Sequence, residues 1–231
     1  MSDIIKQVQK MYDEIGTHFS RTRQKTYGSS SSNWPVTDNY LKKLKKGQSI
    51  LDIGCGNGKL VSGIPSGVTY TGTDFSKTLL AEAKKLFPKH DFRLGNAVES
   101  AHWENLGEYE AIFCVAVLHH IPEEKQQIYI LQEAKKHLKA GGFMYLTVWN
   151  LWQEKFAQNH LDSSELKKSD SKWVEVPYNK EWKRFCVAFD VQTITDLMLK
   201  AGFDIQELFY ADREGKKSDL IHGQNLVVVA K

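Results

Sequence analysis

Three glycines at alternate positions follow a short apolar run in the segment ILDIGCGNGK. Gly54, Gly56 and Gly58 let the backbone turn tightly and approach a ligand closely. Their spacing is G-x-G-x-G, and Lys59 stands where the dinucleotide fingerprint G-x-G-x-x-G needs its last glycine. Because the charge of Asp52, just before the loop, would repel a pyrophosphate, the segment predicts a ligand that carries a positive charge there.

Two polar residues follow later apolar runs and predict a nucleoside. Asp74, in YTGTDFS, can accept hydrogen bonds from both hydroxyls of a ribose. Asn96, in the segment GNA, is expected near the edge of an adenine. A nucleoside with a cationic amino-acid tail is S-adenosylmethionine, which is the predicted cofactor. The other positions assigned to its pocket are Cys55, Phe75, Ala97 and Val115.

Two adjacent histidines, His119 and His120, follow the fourth apolar run in FCVAVLHHIPEE. Adjacent residues on a regular element point apart, so we predict no joint metal site. The end of this run is where a methyl acceptor must lie, and one of the two imidazoles is expected to face it. The sequence leaves open which one, and packing of one ring with exposure of the other is an equal alternative.

The elements that must position these residues alternate between short apolar runs and amphipathic helices from residue 49 onward. This alternation predicts βαβ units and a mostly parallel sheet with helices on both faces. An amphipathic helix is expected near the N-terminus, and a second helix is expected to start with a cap at Thr37 and to end at Gly47. The predicted strands are Ser49–Ile53, Thr69–Thr73, Asp91–Leu94, Ala111–Val115, Phe143–Val148, Asp204–Tyr210 and Leu226–Ala230, the last two forming an antiparallel hairpin. The clearest predicted helices are Ser76–Phe87, Glu123–Leu138 and Val191–Ala201.

Composition limits the class of protein. The 231 residues suit one α/β domain, 1–231, with a helical extension at 1–48 and an insertion over the strand ends at 150–189. No apolar run approaches the roughly 18 residues of a membrane span, so no membrane partner is expected. Three isolated cysteines predict a reducing, cytoplasmic setting. Residues 1–46 hold nine basic and four acidic residues, a pattern that fits either a polyanion-binding patch or a solvated helix face.

The segments YDEIGTHFSRTRQ, WPV, VLHHI, LTVWN and VPYNKEWKRF occur in the order found in the tRNA wobble-uridine methyltransferases. The chain resembles this family of class I enzymes, which esterify 5-carboxymethyluridine in the anticodon. The resemblance implies a Rossmann-like sheet of seven strands with an antiparallel last strand. It also implies tRNA as a partner, bound through the anticodon arm, and a small zinc-binding activator subunit. The residues expected to face the substrate are Arg21, Arg23, His119 or His120, Trp149 and Arg184, with Trp149 stacking on the uracil and Lys42, Lys43, Lys45 and Lys46 holding phosphates.

The chemistry of this reaction fits the basic residues. A carboxylate is ionised at neutral pH and needs no general base, whereas an amine or hydroxyl often needs one. Arginine can hold a carboxylate through a two-pronged hydrogen bond, which gives Arg21 and Arg23 a role. Two alternatives stay open: a class I enzyme that methylates a small-molecule carboxylate or another metabolite, and a non-catalytic partner subunit that binds the cofactor.

Overall fold

The computed structural model describes residues 3–24, 33–153, 173–178 and 181–231. Among these residues, one eight-stranded sheet has the order β3-β2-β1-β4-β5-β10-β8-β9, and a separate hairpin pairs β6 with β7. The strands are β1 (Ser49–Ile53), β2 (Thr69–Asp74), β3 (Asp91–Leu94), β4 (Tyr109–Val115), β5 (Leu138–Trp149), β6 (Trp173–Pro177), β7 (Lys183–Val187), β8 (Ile205–Ala211), β9 (Lys217–Ser218) and β10 (Asn225–Ala230). The helices are α1 (Asp3–Gln24), α2 (Pro35–Leu41), α3 (Lys77–Leu86), α4 (Ser100–Trp103), α5 (Glu124–Lys136) and α6 (Val191–Lys200).

The sheet is parallel from β3 through β5, and β10 is inserted antiparallel between β5 and β8. The predicted α/β class, the mostly parallel sheet and the antiparallel last strand are confirmed. The prediction of seven strands is wrong by one, because the two-residue strand β9 pairs with the end of β8. All parallel strands end at one edge, which is the edge where ligands bind in open α/β sheets.

Both faces of the sheet are buried, as a parallel sheet requires. Successive residues of a strand point to opposite faces, so Leu51 and Ile112 pack beneath α5 and α6, while Ile50 and Phe113 pack beneath α2 and α3. All four side chains are fully buried. The two hydrophobic layers hold the ends of β1, β2 and β4 in fixed register.

Helix α2 differs from its prediction at both ends. Trp34 is the N-cap and Pro35 occupies the first turn, because the fixed φ of proline suits this position. Thr37 lies inside the helix with its hydroxyl bonded to that of Tyr145 (3.1 Å), so its assignment as the cap is wrong. The helix ends at Leu41 rather than Gly47. Within the described residues, none of the helices combines the length and the apolar character of a membrane crossing.

The N-terminal helix α1 docks on the start of α3 through a buried polar contact. The Asp13 carboxylate accepts hydrogen bonds from the Ser76 hydroxyl (2.7 Å) and from the Thr78 amide (3.3 Å). Gly16 allows close approach, since a Cβ there would lie 2.9 Å from Thr78 Cγ2. The Gln9 amide also donates to the carbonyl of Phe75 (2.8 Å). These contacts fix α1 against the carboxyl edge of the sheet.

We expect Asp13→Ala to loosen α1 while leaving the sheet intact. The substitution removes two hydrogen bonds, each contributing about 1 kcal/mol. Amide hydrogen exchange should rise roughly tenfold in residues 3–24 and change little in β1 and β4. Glu14→Ala, on the exposed side of the same turn, is the matched control and should leave exchange unchanged. Equal exchange in α1 of both variants would show that the Asp13 contact does not hold the helix.

Candidate active site

A cavity of about 300 Å³ lies at the carboxyl ends of the parallel strands. Of the ten residues predicted to form the cofactor pocket, nine line this cavity and Gly58 does not. The nine are Asp52, Gly54, Cys55, Gly56, Asp74, Phe75, Asn96, Ala97 and Val115. These predicted positions therefore lie together in the wall of one cavity, to which other parts of the chain also contribute.

Each glycine of the loop has a positive φ, but the three do different things. Gly54 (φ 70°) faces Val117, which would lie 2.3 Å from an added Cβ. Gly56 (φ 54°) faces open space, so a ligand can approach its backbone. Gly58 (φ 75°) packs against Phe92 instead of lining the cavity. Its prediction as a ligand contact is thus replaced by a packing role.

Two buried carboxylates lie beside the loop, at the ends of β1 and β2. Asp52 accepts a hydrogen bond from the Tyr70 hydroxyl (2.9 Å), and Asp74 accepts from the amides of Gly56 and Ser76 (both 2.8 Å). Burial raises the pKa of Asp52 to about 7, against the opposing effect of the Tyr70 hydrogen bond, and raises the pKa of Asp74 to about 6. The charge of Asp74 adds to the shift of Asp52.

The predicted cofactor carries the positive charge that these two carboxylates lack. Neither Asp52 nor Asp74 has an ion-pair partner among the described residues, although both are more than nine-tenths buried. Buried charges are normally paired. S-adenosylmethionine carries a sulfonium and an ammonium group, which supply positive charge, and a ribose whose hydroxyls suit Asp74. A dinucleotide would instead bring its pyrophosphate against Asp52.

Helix α1 forms the roof of the cavity. Ile5, Val8, Tyr12 and Phe19 line it from above. The end of the roof is tied to the glycine loop, where the Asn57 amide donates to the hydroxyl of Ser20 (3.1 Å), also on α1. Sequence reasoning missed these lining residues, because an apolar stripe that covers a ligand has the same period as one that packs on a core.

The two histidines lie side by side, with ring centroids 4.3 Å apart. Both belong to a 3₁₀ turn, Leu118–His120, so the prediction that they point apart is wrong. His120 lines the cavity, and its Nδ1 bonds to the carbonyl of Phe185 (2.9 Å) while its Nε2 lies 3.3 Å from the Tyr12 hydroxyl. A nitrogen facing a carbonyl must donate, so Nε2 accepts from Tyr12. The open question of which imidazole faces the cavity is answered by His120.

Neither imidazole is a strong base. Burial lowers the pKa of His120 to about 4, with the Arg184 guanidinium contributing, and burial and the neighbouring His120 hold the pKa of His119 well below its ordinary value. His119, His120 and Cys186 bring their ligand-type atoms within 4.8 Å of one another. We assign no ion to this cluster, because the Arg184 charge opposes a cation and His120 Nδ1 is used by Phe185.

The β6–β7 hairpin places Arg184 over Trp149, which lines the cavity at the end where the methyl acceptor is predicted (the acceptor end); Arg184 itself does not line the cavity. Its guanidinium lies 4.5 Å from the Trp149 ring and 5.4 Å from the Tyr178 ring. Its Nη2 donates to the carbonyl of Pro177 (3.3 Å), whereas its buried Nε has no partner among the described residues. His119 also lies near the Trp149 ring, at 4.6 Å. Stacking of Trp149 on a uracil therefore competes with these two contacts and stays a prediction.

The last turns of α1, which carry Arg21 and Arg23 in the sequence, approach this end from the other side. Phe19 lies 6.4 Å from the Tyr178 ring, so the end of α1 reaches the hairpin that carries Arg184. Arg21 is exposed there and does not line the cavity. Arg23 belongs to the last turn of α1, but its side chain lies outside the described residues. The substrate roles of both arginines stay predictions.

The four lysines after α2 are not brought to the cavity. The amide of Gly47, which follows them, donates to the carbonyl of Gly67 (2.8 Å) just before β2, so the run ends at the amino edge of the sheet. Lys43 pairs with Glu207 (3.9 Å). The lysines Lys42, Lys43, Lys45 and Lys46 are all exposed, and their phosphate contacts stay a prediction.

Sequence patterns did not predict several of the residues that line the cavity. Trp34 and Thr37 of α2, Thr147 of β5 and Asn225 of β10 line the wall. Asn225 pairs with Trp149 across β5 and β10, a register that no local pattern specifies. The one local signal was the segment WPV, which already marked Trp34.

Comparisons with known proteins agree with this geometry. Residues 32–208 match the family model described as "Methyltransferase domain". The tRNA (carboxymethyluridine(34)-5-O)-methyltransferase of Arabidopsis thaliana is 33% identical over 179 residues, covering 77% of this chain and 39% of the relative. The enzyme of the same name from Schizosaccharomyces pombe is 34% identical over 147 residues, covering 64% and 59%. The chain thus spans less than two thirds of either relative, and the resemblance to this group is confirmed.

A solved structure shows the same fold. It is the complex between the Haloferax volcanii Trm112 methyltransferase activator and the putative methyltransferase, with a TM-score of 0.67 at 13% identity, covering 96% of each chain. The family match spans most of the sheet, the glycine loop and the acceptor end. The chain therefore belongs to the methyltransferase domain family, and S-adenosylmethionine is the cofactor that its cavity holds.

Proposed function

We propose that this protein is an S-adenosylmethionine-dependent tRNA methyltransferase that esterifies the carboxylate of 5-carboxymethyluridine at the wobble position. The names of the two relatives support 5-carboxymethyluridine in tRNA as the substrate. The residues at the acceptor end independently support a carboxylate as the group that accepts the methyl. The observation that carries the proposal is the pairing of weakly basic imidazoles with a cationic guanidinium at that end.

The site offers no strong general base among the described residues for an acceptor that must lose a proton. His120 faces the cavity with a pKa of about 4, and both of its nitrogens already have protein partners. A hydroxyl or amine would need a general base of higher pKa to take its proton. A carboxylate arrives ionised, so it needs only to be held in position.

We assign the holding of that carboxylate to Arg184, whose guanidinium lies over Trp149 of the cavity wall. Its buried Nε has no hydrogen-bond partner in the described part of the chain, and the Trp149 and Tyr178 rings limit where the guanidinium can move. Charge-assisted hydrogen bonds to such a fork are stronger than neutral ones. Arg21 is exposed and does not line the cavity, so its contact with the substrate stays a prediction.

The proposed step needs no proton transfer. The cofactor supplies an electrophilic methyl group on a sulfonium. One carboxylate oxygen forms the new O–C bond while the S–C bond breaks and its electron pair returns to sulfur, so both charges disappear. Arg184 orients the carboxylate, and α1 excludes water, which favours a step that removes charge.

A small-molecule carboxylate is the second candidate acceptor. It is favoured by the position of the lysine run, which the sheet separates from the cavity. A small acid could pair with Arg184 without any phosphate contact. Salt distinguishes the two, since tRNA methylation should weaken steeply between 50 and 200 mM salt.

An activator subunit is part of the proposal. The Haloferax volcanii methyltransferase was solved with Trm112. Here β3 forms one edge of the sheet, and Leu94 at its end is 53% exposed. Within the described parts of the chain no strand pairs with the outer edge of β3, and such an edge beside an apolar side chain suits a partner that adds to the sheet.

The primary test uses tRNA from a strain that lacks the wobble ester. We expect tritiated methyl from S-adenosylmethionine to enter this tRNA, and mild alkali should release it as volatile methanol, since an ester hydrolyses and an N-methyl group does not. Nucleoside mass spectrometry should find the ester on 5-carboxymethyluridine. Alkali-stable label on another nucleoside would overturn the carboxylate acceptor. Cofactor binding without RNA labelling, even with an activator present, would favour the small acid.

Arg184→Gln should lower kcat/KM for the acceptor about 100-fold, because it removes a charge-assisted hydrogen bond. The dissociation constant of S-adenosylmethionine should stay within about twofold. Lys183→Gln is the matched control: the neighbouring cation is exposed, pairs with Glu175 and should change neither value greatly. Parallel loss of cofactor binding would mean that Arg184 supports the fold instead of the acceptor.

Cofactor affinity should depend on pH through Asp52. Its pKa of about 7 applies to the empty site, and a bound cation lowers it, so protonation competes with binding. Titration calorimetry should give an affinity that levels off by about pH 8, is about half of that limit at pH 7 and is at least about tenfold weaker at pH 6. Asp52→Asn should bind more weakly and lose most of this dependence, leaving the small part that comes from Asp74, whose pKa is about 6. Equal wild-type affinities at pH 6 and 8 would contradict the role of Asp52.

A further inference from the structure

An imidazole that none of the roles above uses lies at the end of the cavity beyond the ribose position. His102 lines this end together with Gly95, Asn96 and Ala97. Its Nε2 is buried and has no hydrogen-bond partner in the described part of the chain. No pattern in the sequence had marked this residue.

The surrounding chain holds this ring in place. His102 meets Trp103 edge-on, with centroids 4.8 Å apart, and the Trp103 indole donates to the carbonyl of Ala97 (2.9 Å). Trp103 also stacks on His137 at 5.6 Å. A Cβ on Gly95 would lie 2.4 Å from His102 Nδ1, so only glycine lets the ring come this close. The ring therefore lies directly against the loop that follows β3.

That loop adjoins the carboxylate expected to hold the ribose. The amide of Gly95 donates to the carbonyl of Asp74 (3.0 Å), because β2 and β3 pair in parallel up to Asp74 and Leu94. A nucleoside whose ribose meets Asp74 extends its base toward Asn96 and His102. The cavity wall thus places the imidazole beside the nucleobase.

Leaving a buried polar atom unpaired costs about 1–3 kcal/mol, and native structures rarely do so without reason. Burial and the nearby His137 lower the pKa of His102 to about 4, so the ring is neutral. A neutral imidazole has one donor and one acceptor nitrogen. Adenine presents both kinds of group on its edge.

We infer that His102 forms a hydrogen bond with the edge of the cofactor's adenine and so takes part in recognising the base. The inference rests on the proposed use of S-adenosylmethionine and is independent of the acceptor. His102 would then help to determine, alongside Asn96, which nucleobase the cofactor pocket accepts. Removing the imidazole should reduce the preference for adenine over other bases, in addition to weakening binding.

The test is a binding cycle between protein and ligand variants. The ligands are S-adenosylhomocysteine and four analogues in which N1, N3, N7 or the 6-amino group of adenine is replaced by CH or H. For wild type, loss of the atom that meets His102 should weaken binding about tenfold. In His102→Phe, binding of S-adenosylhomocysteine should weaken, and the penalty for that one atom should disappear.

Two further variants separate recognition from packing. His102→Gln keeps a donor and an acceptor and should retain part of the penalty. His137→Phe keeps an aromatic ring behind Trp103, removes only the hydrogen bond of His137 to the Gly107 carbonyl (2.8 Å), outside the cavity wall, and should retain all of the penalty. If every analogue keeps its wild-type penalty in His102→Phe, the inference is overturned. If wild type fails to bind S-adenosylhomocysteine at all, the cofactor assignment fails instead, which the tRNA assay alone could not reveal.

Discussion

The site depends on two buried carboxylates at the ends of neighbouring parallel strands. Asp52 and Asp74 are held within the sheet edge by β1 and β2, whose registers are fixed by two packed hydrophobic layers. The described residues offer these carboxylates no basic partner. A cationic ligand therefore neutralises their charge, and the two carboxylates favour a cationic ligand over an anionic one. The glycine loop, the roof formed by α1 and the position of the acceptor end all follow from where that ligand must lie.

The charge near the predicted acceptor end is positive, in contrast to the carboxylates near the cofactor. Arg184 reaches this end from the β6–β7 hairpin, and the same guanidinium helps to keep His119 and His120 uncharged. Two carboxylates therefore lie in the cavity wall, and a guanidinium lies over Trp149 at the acceptor end. Under the proposed function, this arrangement would orient a cationic methyl donor and an anionic acceptor toward each other, since each would be attracted by one end and repelled by the other.

Local patterns predicted the strands and the cofactor loop well, because strand ends and glycine turns are set by nearby residues. The bounds of β1 and β3 were predicted to the residue. The roof residues Tyr12 and Phe19 could not be recognised, since periodicity alone does not tell a ligand-covering face from a core-packing one. The location of the lysine run could not be predicted for another reason: its charge is visible in the sequence, but the edge of the sheet that it occupies depends on where α2 ends. The contact between the two histidines likewise depends on a 3₁₀ turn that follows the strand.

Helix α1 has a kinetic consequence. It roofs the cofactor, is tied to the glycine loop through Ser20 and Asn57, and ends beside the hairpin that carries Arg184. A macromolecular acceptor of the proposed kind would contact this end and hold α1 over the cavity, so the cofactor would have to bind first. Binding would then be ordered, and the spent cofactor would leave only after the methylated product. The rate of turnover would in that case depend on how fast α1 opens, because the same helix covers the cofactor and contacts the acceptor.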